Sequence, residues 1–149
     1  MVVAGLAACG SPDRPAGPAN LPEPVSRAEA ESLLATAVSL ARQPNFCAVV
    51  AASEEQCRSE AAFAASVGWR PGDTPPRVTG VRQLPARVTG GSPVTVLELA
   101  GTRADATPFT ADFATTRTDL ARIRSLTPVY WSGVGYRDRF QEASTVDSG

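Results

Sequence analysis

Val94-Thr95-Val96-Leu97-Glu98-Leu99 and, past the short loop Arg103-Ala104-Asp105-Ala106, Phe109-Thr110-Ala111-Asp112-Phe113-Ala114-Thr115 decide the fold. The first run is rich in β-branched and aliphatic side chains and is the strongest strand of the chain. The second alternates, with Phe109, Ala111 and Phe113 on one face, which is the period of a half-buried strand. A four-residue loop between two such runs predicts a hairpin. Towards the C-terminus, Thr118-Asp119 turns the chain into a further strand, Ala121–Leu126. Towards the N-terminus, Gly90-Gly91 turns it back into Val78–Leu84, which Gly80 and Pro85 mark as an edge. Residues 136–149 are polar, with little apolar content, and read as a flexible tail.

Before the strands the period changes from two to that of a helix. Ser26-Arg27-Ala28-Glu29 has the form of a capping box, and Leu33, Leu34, Ala37, Leu40 and Ala41 follow at helical spacing. Pro44 ends this helix, because its ring keeps the preceding residue out of helical angles. Asn45 is placed to cap a short second helix, Phe46–Ala52. Ser53-Glu54-Glu55-Gln56 is a second capping box and opens a third helix that runs to about Val67, where Gly68 suits a left-handed cap. Trp69–Pro76 is a turn-rich connection. Helices followed by an antiparallel meander predict an α+β domain over residues 26–135, its helices packed on one face of a curved sheet of about four strands.

Composition excludes several kinds of chemistry. The 149 residues contain no histidine and no lysine, so all 14 basic residues are arginine, against 15 acidic ones. Without imidazole there are no serine triads, Cys–His dyads or histidine-based zinc sites. Without lysine there is no Schiff base. The arginines are scattered from Arg14 to Arg139 without forming a patch, which argues against nucleic acid as a partner. Neither a cofactor nor a metal is expected. The cysteines are Cys9, Cys47 and Cys57. Two thiolates with no histidine fall short of a four-ligand zinc site.

The N-terminal end carries a signal of location. Leu6-Ala7-Ala8-Cys9, followed by Gly10-Ser11, resembles a bacterial lipobox, in which small residues flank the scissile bond and the cysteine thiol takes a diacylglycerol. The resemblance implies that residues 1–8 are the remnant of a lipoprotein signal peptide, that an upstream start supplies its charged beginning, and that Cys9 is lipidated. Residues 9–25 then form a tether. Five prolines between Gly10 and Val25 hold it extended, at about 3 Å per residue in polyproline conformation. The implied site is the extracytoplasmic face of a cell membrane, with lipid as the attachment. No segment approaches the roughly 20 apolar residues of a spanning helix. With Cys9 lipidated, Cys47 and Cys57 are left as a pair that an oxidising compartment would bridge, two buried thiols being the alternative. In one unbroken helix the two lie roughly 15 Å apart, whereas a disulfide needs Cα atoms about 4.4–6.8 Å apart. A bridge therefore requires the chain to turn near Ser53.

The element order, with the run Pro128-Val129-Tyr130-Trp131-Ser132-Gly133, resembles the cystatin-like cone of the nuclear transport factor 2-like and SnoaL-like superfamily. It is similar to small actinobacterial lipoproteins with such a domain. Members with isomerase, cyclase or dehydratase activity act inside the cone through Asp, Tyr or His. Here that implies Asp112 as the base, with Tyr130 or Tyr136 donating to the oxyanion, provided Asp112 enters the pocket. If Phe109 and Phe113 face the helices instead, Asp112 faces away. Glu98 shares a face with Val94 and Val96 and either meets an arginine, Arg122 or Arg124, or marks a pocket. Tyr130 and Trp131 either close the core or form a binding lip beside Gly133 and Gly135. Two functions follow. One is a membrane-anchored, non-catalytic binding or assembly module for a protein or a small apolar ligand. The other is a small-molecule isomerase or lyase using Asp112, Glu98 and Tyr130. A filled cone favours the first, and a buried, unpaired carboxylate the second.

Overall fold

The computed structural model describes residues 23–86, 91–118 and 122–136. Three helices, α1 (Arg27–Leu40), α2 (Phe46–Val50) and α3 (Glu54–Ser66), precede four strands, β1 (Arg77–Leu84), β2 (Val94–Thr102), β3 (Pro108–Arg117) and β4 (Ile123–Ser125), and a closing 3₁₀ turn, Tyr130–Ser132. The strands form one antiparallel sheet in chain order, so the domain is α+β.

α1 forms because both arms of its capping box close. Ser26 Oγ accepts from the Glu29 N–H at 3.0 Å and Glu29 Oε1 accepts from the Ser26 N–H at 2.9 Å. The Ser26 N–H, and then the Arg117 guanidinium 2.7 Å away, hold the Glu29 carboxyl below its ordinary range. Ala30, Leu34 and Ala37 form the buried stripe, with Leu33, Leu40 and Ala41 packed at its margin. The helix stops at Leu40, and Pro44 lies in the turn that follows.

α2 departs from expectation at both ends. Asn45 makes no side-chain cap, because its φ of −92° and ψ of 9° are already close to helical. The preceding turn makes the entry instead, the Phe46 N–H donating to Gln43 O at 3.2 Å. At the other end Ala51 becomes extended and bridges to Ser125, and the Ala52 N–H donates to Ser125 O at 2.7 Å. The sheet thus claims the two residues that the sequence assigned to the helix.

α3 has half of its capping box. Ser53 Oγ accepts from the Gln56 N–H at 3.2 Å, but the Gln56 amide turns forward to Glu60 Oε2, also at 3.2 Å. Gly68, at φ +83°, closes the helix in the left-handed region that suits glycine. The turn between α2 and α3 brings the Cys47 and Cys57 Cα atoms to 5.7 Å, and the two are joined in a disulfide.

The sheet has two unlike faces. Leu97, Leu99, Phe109, Ala111 and Phe113 meet the helices' Leu34, Ala37, Phe46 and Val50, with Tyr130 and Trp131 closing the layer. Leu84, Val96 and Ala114 lie on the other face, with Val94, Leu126 and Tyr136 against them. β4 is shorter than Ala121–Leu126: only Thr115–Arg117 find partners in it, and Leu126 packs on the outer cluster. Ala121, Gly90 and Asp119 lie outside the described residues.

Both ends of the described chain belong to the domain. Val25 is fully buried, and its carbonyl accepts from Thr95 Oγ1 at 2.5 Å. Arg117 holds the carbonyls of Glu23 and Pro24. The last residues assigned to the tether are therefore docked, and packing begins before Ser26. Tyr136, assigned to the tail, is docked as well.

Candidate functional site

Asp112 and Glu98 are brought together. They stand directly opposite each other on β3 and β2, on the face away from the helices, because Phe109 and Phe113 take the helix side. Like charges in that register repel. Arg82 on β1 relieves the repulsion. Its Nη1 donates to Glu98 Oε2 at 2.8 Å, and its Nη2 donates to Asp112 Oδ2 at 3.4 Å and to the Tyr136 carbonyl at 3.0 Å. The Tyr136 N–H in turn donates to Asp112 Oδ2 at 2.8 Å. Burial opposes the Arg82 charge, but the Glu98 hydrogen bond and the Asp112 charge outweigh it and hold the guanidinium above its ordinary value.

Gly80 makes this geometry accessible. It lies opposite Glu98 at the bulge of β1, and a Cβ there would collide with Glu98 Oε1. The carboxylate can therefore lie across β1 towards Arg82. The partners expected from sequence, Arg122 and Arg124, are not used. β2 pairs with β1 and β3, so a residue on β4 is two strands from Glu98. Arg124 Nη1 instead donates to the Ile123 carbonyl at 3.1 Å.

Tyr130 is on the opposite side of the sheet. Its ring packs on Phe109 at 6.2 Å and edge-on to Trp131 at 5.1 Å, and burial pushes its hydroxyl up to about 12, against the pull of Arg42. Tyr130 thus belongs to the helix-side cluster, and Asp112 to the other face of the sheet. Trp131 is 5% exposed and tilts against Phe46 at 5.4 Å. Both rings belong to the core, so neither forms a projecting lip. Arg103 locks them from the hairpin side. Its Nε donates to the Trp131 carbonyl at 2.7 Å while its guanidinium lies 4.4 Å above Trp69.

Two hollows flank α3. One, of about 220 Å³, is lined by Ala41, Pro44, Phe46, Cys47, Arg58 and Trp131 among others. The other, of about 30 Å³, lies between α3 and Ser125–Pro128. Neither contains Asp112 or Glu98. Small-molecule sites usually span about 300–1,000 Å³. Among the described residues no three Cys, Asp or Glu side chains gather where they could hold a metal ion, and no helix is long and apolar enough to cross a membrane. Cys9 lies outside the described residues.

No known family, curated protein or solved structure matches the chain.

Sequence reasoning missed Arg82 and the docking of Tyr136. The signal for Arg82 was present: a charged residue in the middle of a strand, between Val81 and Gln83. Its target was not readable, because the bulge between Val78 and Gly80 shifts the register that aims it.

Proposed function

We propose that this chain is a lipid-anchored domain on the extracytoplasmic face of a cell membrane, where it works as a non-catalytic binding or assembly module. The observation that carries this reading is the filled layer between helices and sheet. Phe113, Leu97 and Leu99 are at most 1% exposed there, and Phe109, Tyr130 and Trp131 are buried in the same layer. The carboxylates give further support. A proton-abstracting base needs a carboxylate in an apolar pocket, and Asp112 and Glu98 are instead ion-paired to Arg82 on the opposite face. The Cys47–Cys57 disulfide suits a compartment outside the reducing cytosol. The attachment is acyl chains on Cys9, with residues 10–22 as the spacer.

The experiment is a pair of conservative changes, Asp112→Asn and Glu98→Gln, made singly in the native lipoprotein. The expected result is an unchanged cellular phenotype, since neither side chain meets a substrate. Loss of the phenotype by Asp112→Asn, with the melting temperature kept, would transfer the protein to the isomerase or lyase class.

A further inference from the structure

α3 is the least covered element of the domain. Only Cys57 and Ala64 of its 13 residues are buried. Phe63 is 60% exposed and Val67 47%, and these are the large apolar side chains left open among the described residues. Phe63 meets Trp69 edge-on at 6.2 Å. Around them, Ala61 to Trp69 is a run without charge, although the helix is otherwise solvated. A helix turned outward in this way ordinarily carries charge on its outer face.

The charges that the helix does carry are segregated. Glu54, Glu55 and Glu60 stand in its first two turns against a single Arg58, and Arg70 follows its end. Arg58 is taken by Glu54, and Glu60 accepts from Gln56. The side chains of Glu55 and Arg70 are left without a partner among the described residues. One end of the apolar stretch thus carries a glutamate without a partner, and the other an arginine without one, among the described residues.

We propose that the chain associates with a second copy of itself through α3, the two helices lying antiparallel about a two-fold axis near Phe63. This rests on the assembly reading above and names the partner. The antiparallel sense follows from charge. Glu55 lies about 12 Å along the helix from Phe63 on its N-terminal side, and Arg70 follows the C-terminal end past the Gly68 turn, so a two-fold axis near Phe63 sets the Glu55 end of one copy against the Arg70 end of the other. A parallel pair would set Glu55 against Glu55. Ser59, Ala62 and Ser66 lie beside Phe63 and let the backbones approach. An anionic bilayer is a poorer occupant, because the same helix would bring three glutamates to it. One helix per copy falls short of the roughly 1,200 Å² of a stable complex, so association is weak in solution. A shared membrane raises the effective concentration.

The test is sedimentation equilibrium on the full chain carrying Cys9→Ser, from about 1 µM to about 500 µM. The mean mass should rise from 15.5 kDa towards twice that value. Phe63→Glu should weaken association roughly tenfold or more with the melting temperature unchanged, since the ring is exposed. Glu55→Arg and Arg70→Glu should each weaken it a few-fold, and together restore it. A monomer throughout the range, or a dimer indifferent to Phe63→Glu, overturns the proposal. A double charge reversal no better than its parents overturns the antiparallel arrangement. Binding to anionic vesicles that Phe63→Glu abolishes, in a chain that stays monomeric, assigns the face to lipid and overturns it too. The non-catalytic reading would survive each of these, because its test is the Asp112 phenotype and not the mass.

Discussion

Replacement of Arg82 by Gln tests the charge cluster on the outer face. The variant loses two ion pairs, to Glu98 at 2.8 Å and Asp112 at 3.4 Å, and a hydrogen bond to the Tyr136 carbonyl at 3.0 Å. All three charged side chains are partly open to solvent, with relative exposures of 34%, 38% and 19%. Each pair is therefore worth at most about 1 kcal/mol, and the backbone bond about 1 kcal/mol. The carboxylates left behind stand directly opposite each other. At roughly 5 Å their repulsion is about 1 kcal/mol in a water-like medium and about 3 kcal/mol at an effective dielectric of 20. With each pair at about half that bound and the repulsion at its water-like value, the loss is about 3 kcal/mol at pH 7, or a fall of roughly 10 °C in Tm for a domain of this size.

The salt dependence distinguishes this cause from lost packing. Repulsion and ion pairing between partly open charges are screened by salt, so the deficit of the variant relative to the parent is largest at low ionic strength and shrinks as salt approaches about 1 M. Arg82 itself is held above its ordinary value and stays charged throughout. Urea melts of parent and variant at low and high salt give the two differences. An equal deficit at both salt concentrations, or none at low salt, would refute the reasoning.

Two further outcomes follow from the same structure. Reduction of Cys47–Cys57 reopens a loop with a sequence separation of 10, which should cost about 3 kcal/mol in the chain-entropy model and loosen α3 first; urea melts with and without reductant measure it, and identical midpoints would contradict it. Trp131→Ala should destabilise by about 3–5 kcal/mol, because the ring is buried against Phe46 and Tyr130; a thermal shift of only a degree or two would place it outside the core.

Much of the architecture was legible because local signals agreed with the global fold. The alternation of Phe109, Ala111 and Phe113 put these three on one face of β3 and Asp112 on the other, and left it to the packing of the helices which face was the inner one. Ser26 with Glu29, and Gly68, marked helix ends that form as read. The cysteine pair demanded a turn near Ser53, and the turn is there. What failed depended on contacts distant in sequence. Asn45 is a good cap by type, but the turn before it had already set its backbone. Val25 looked like linker, although Thr95, 70 residues away, takes its carbonyl. The strand read as Val94–Leu99 runs on to Thr102, and Gly101 within it is the place where the Phe109 ring crosses, with a Cβ there falling 2.8 Å from Cζ. Glu98 was assigned an arginine two strands off, because a period-two pattern gives the face but not the neighbour. Phe63 carried no warning, since an apolar residue on a helix reads as core until its helix is placed.

The central claim is that a lipid on Cys9 holds this domain at the outer face of a membrane. Metabolic labelling with radiolabelled palmitate, comparing the native protein with Cys9→Ala, tests it most directly. Label is expected in the native protein and none in the variant. Equal labelling of the two, or an unlabelled native protein, would contradict it.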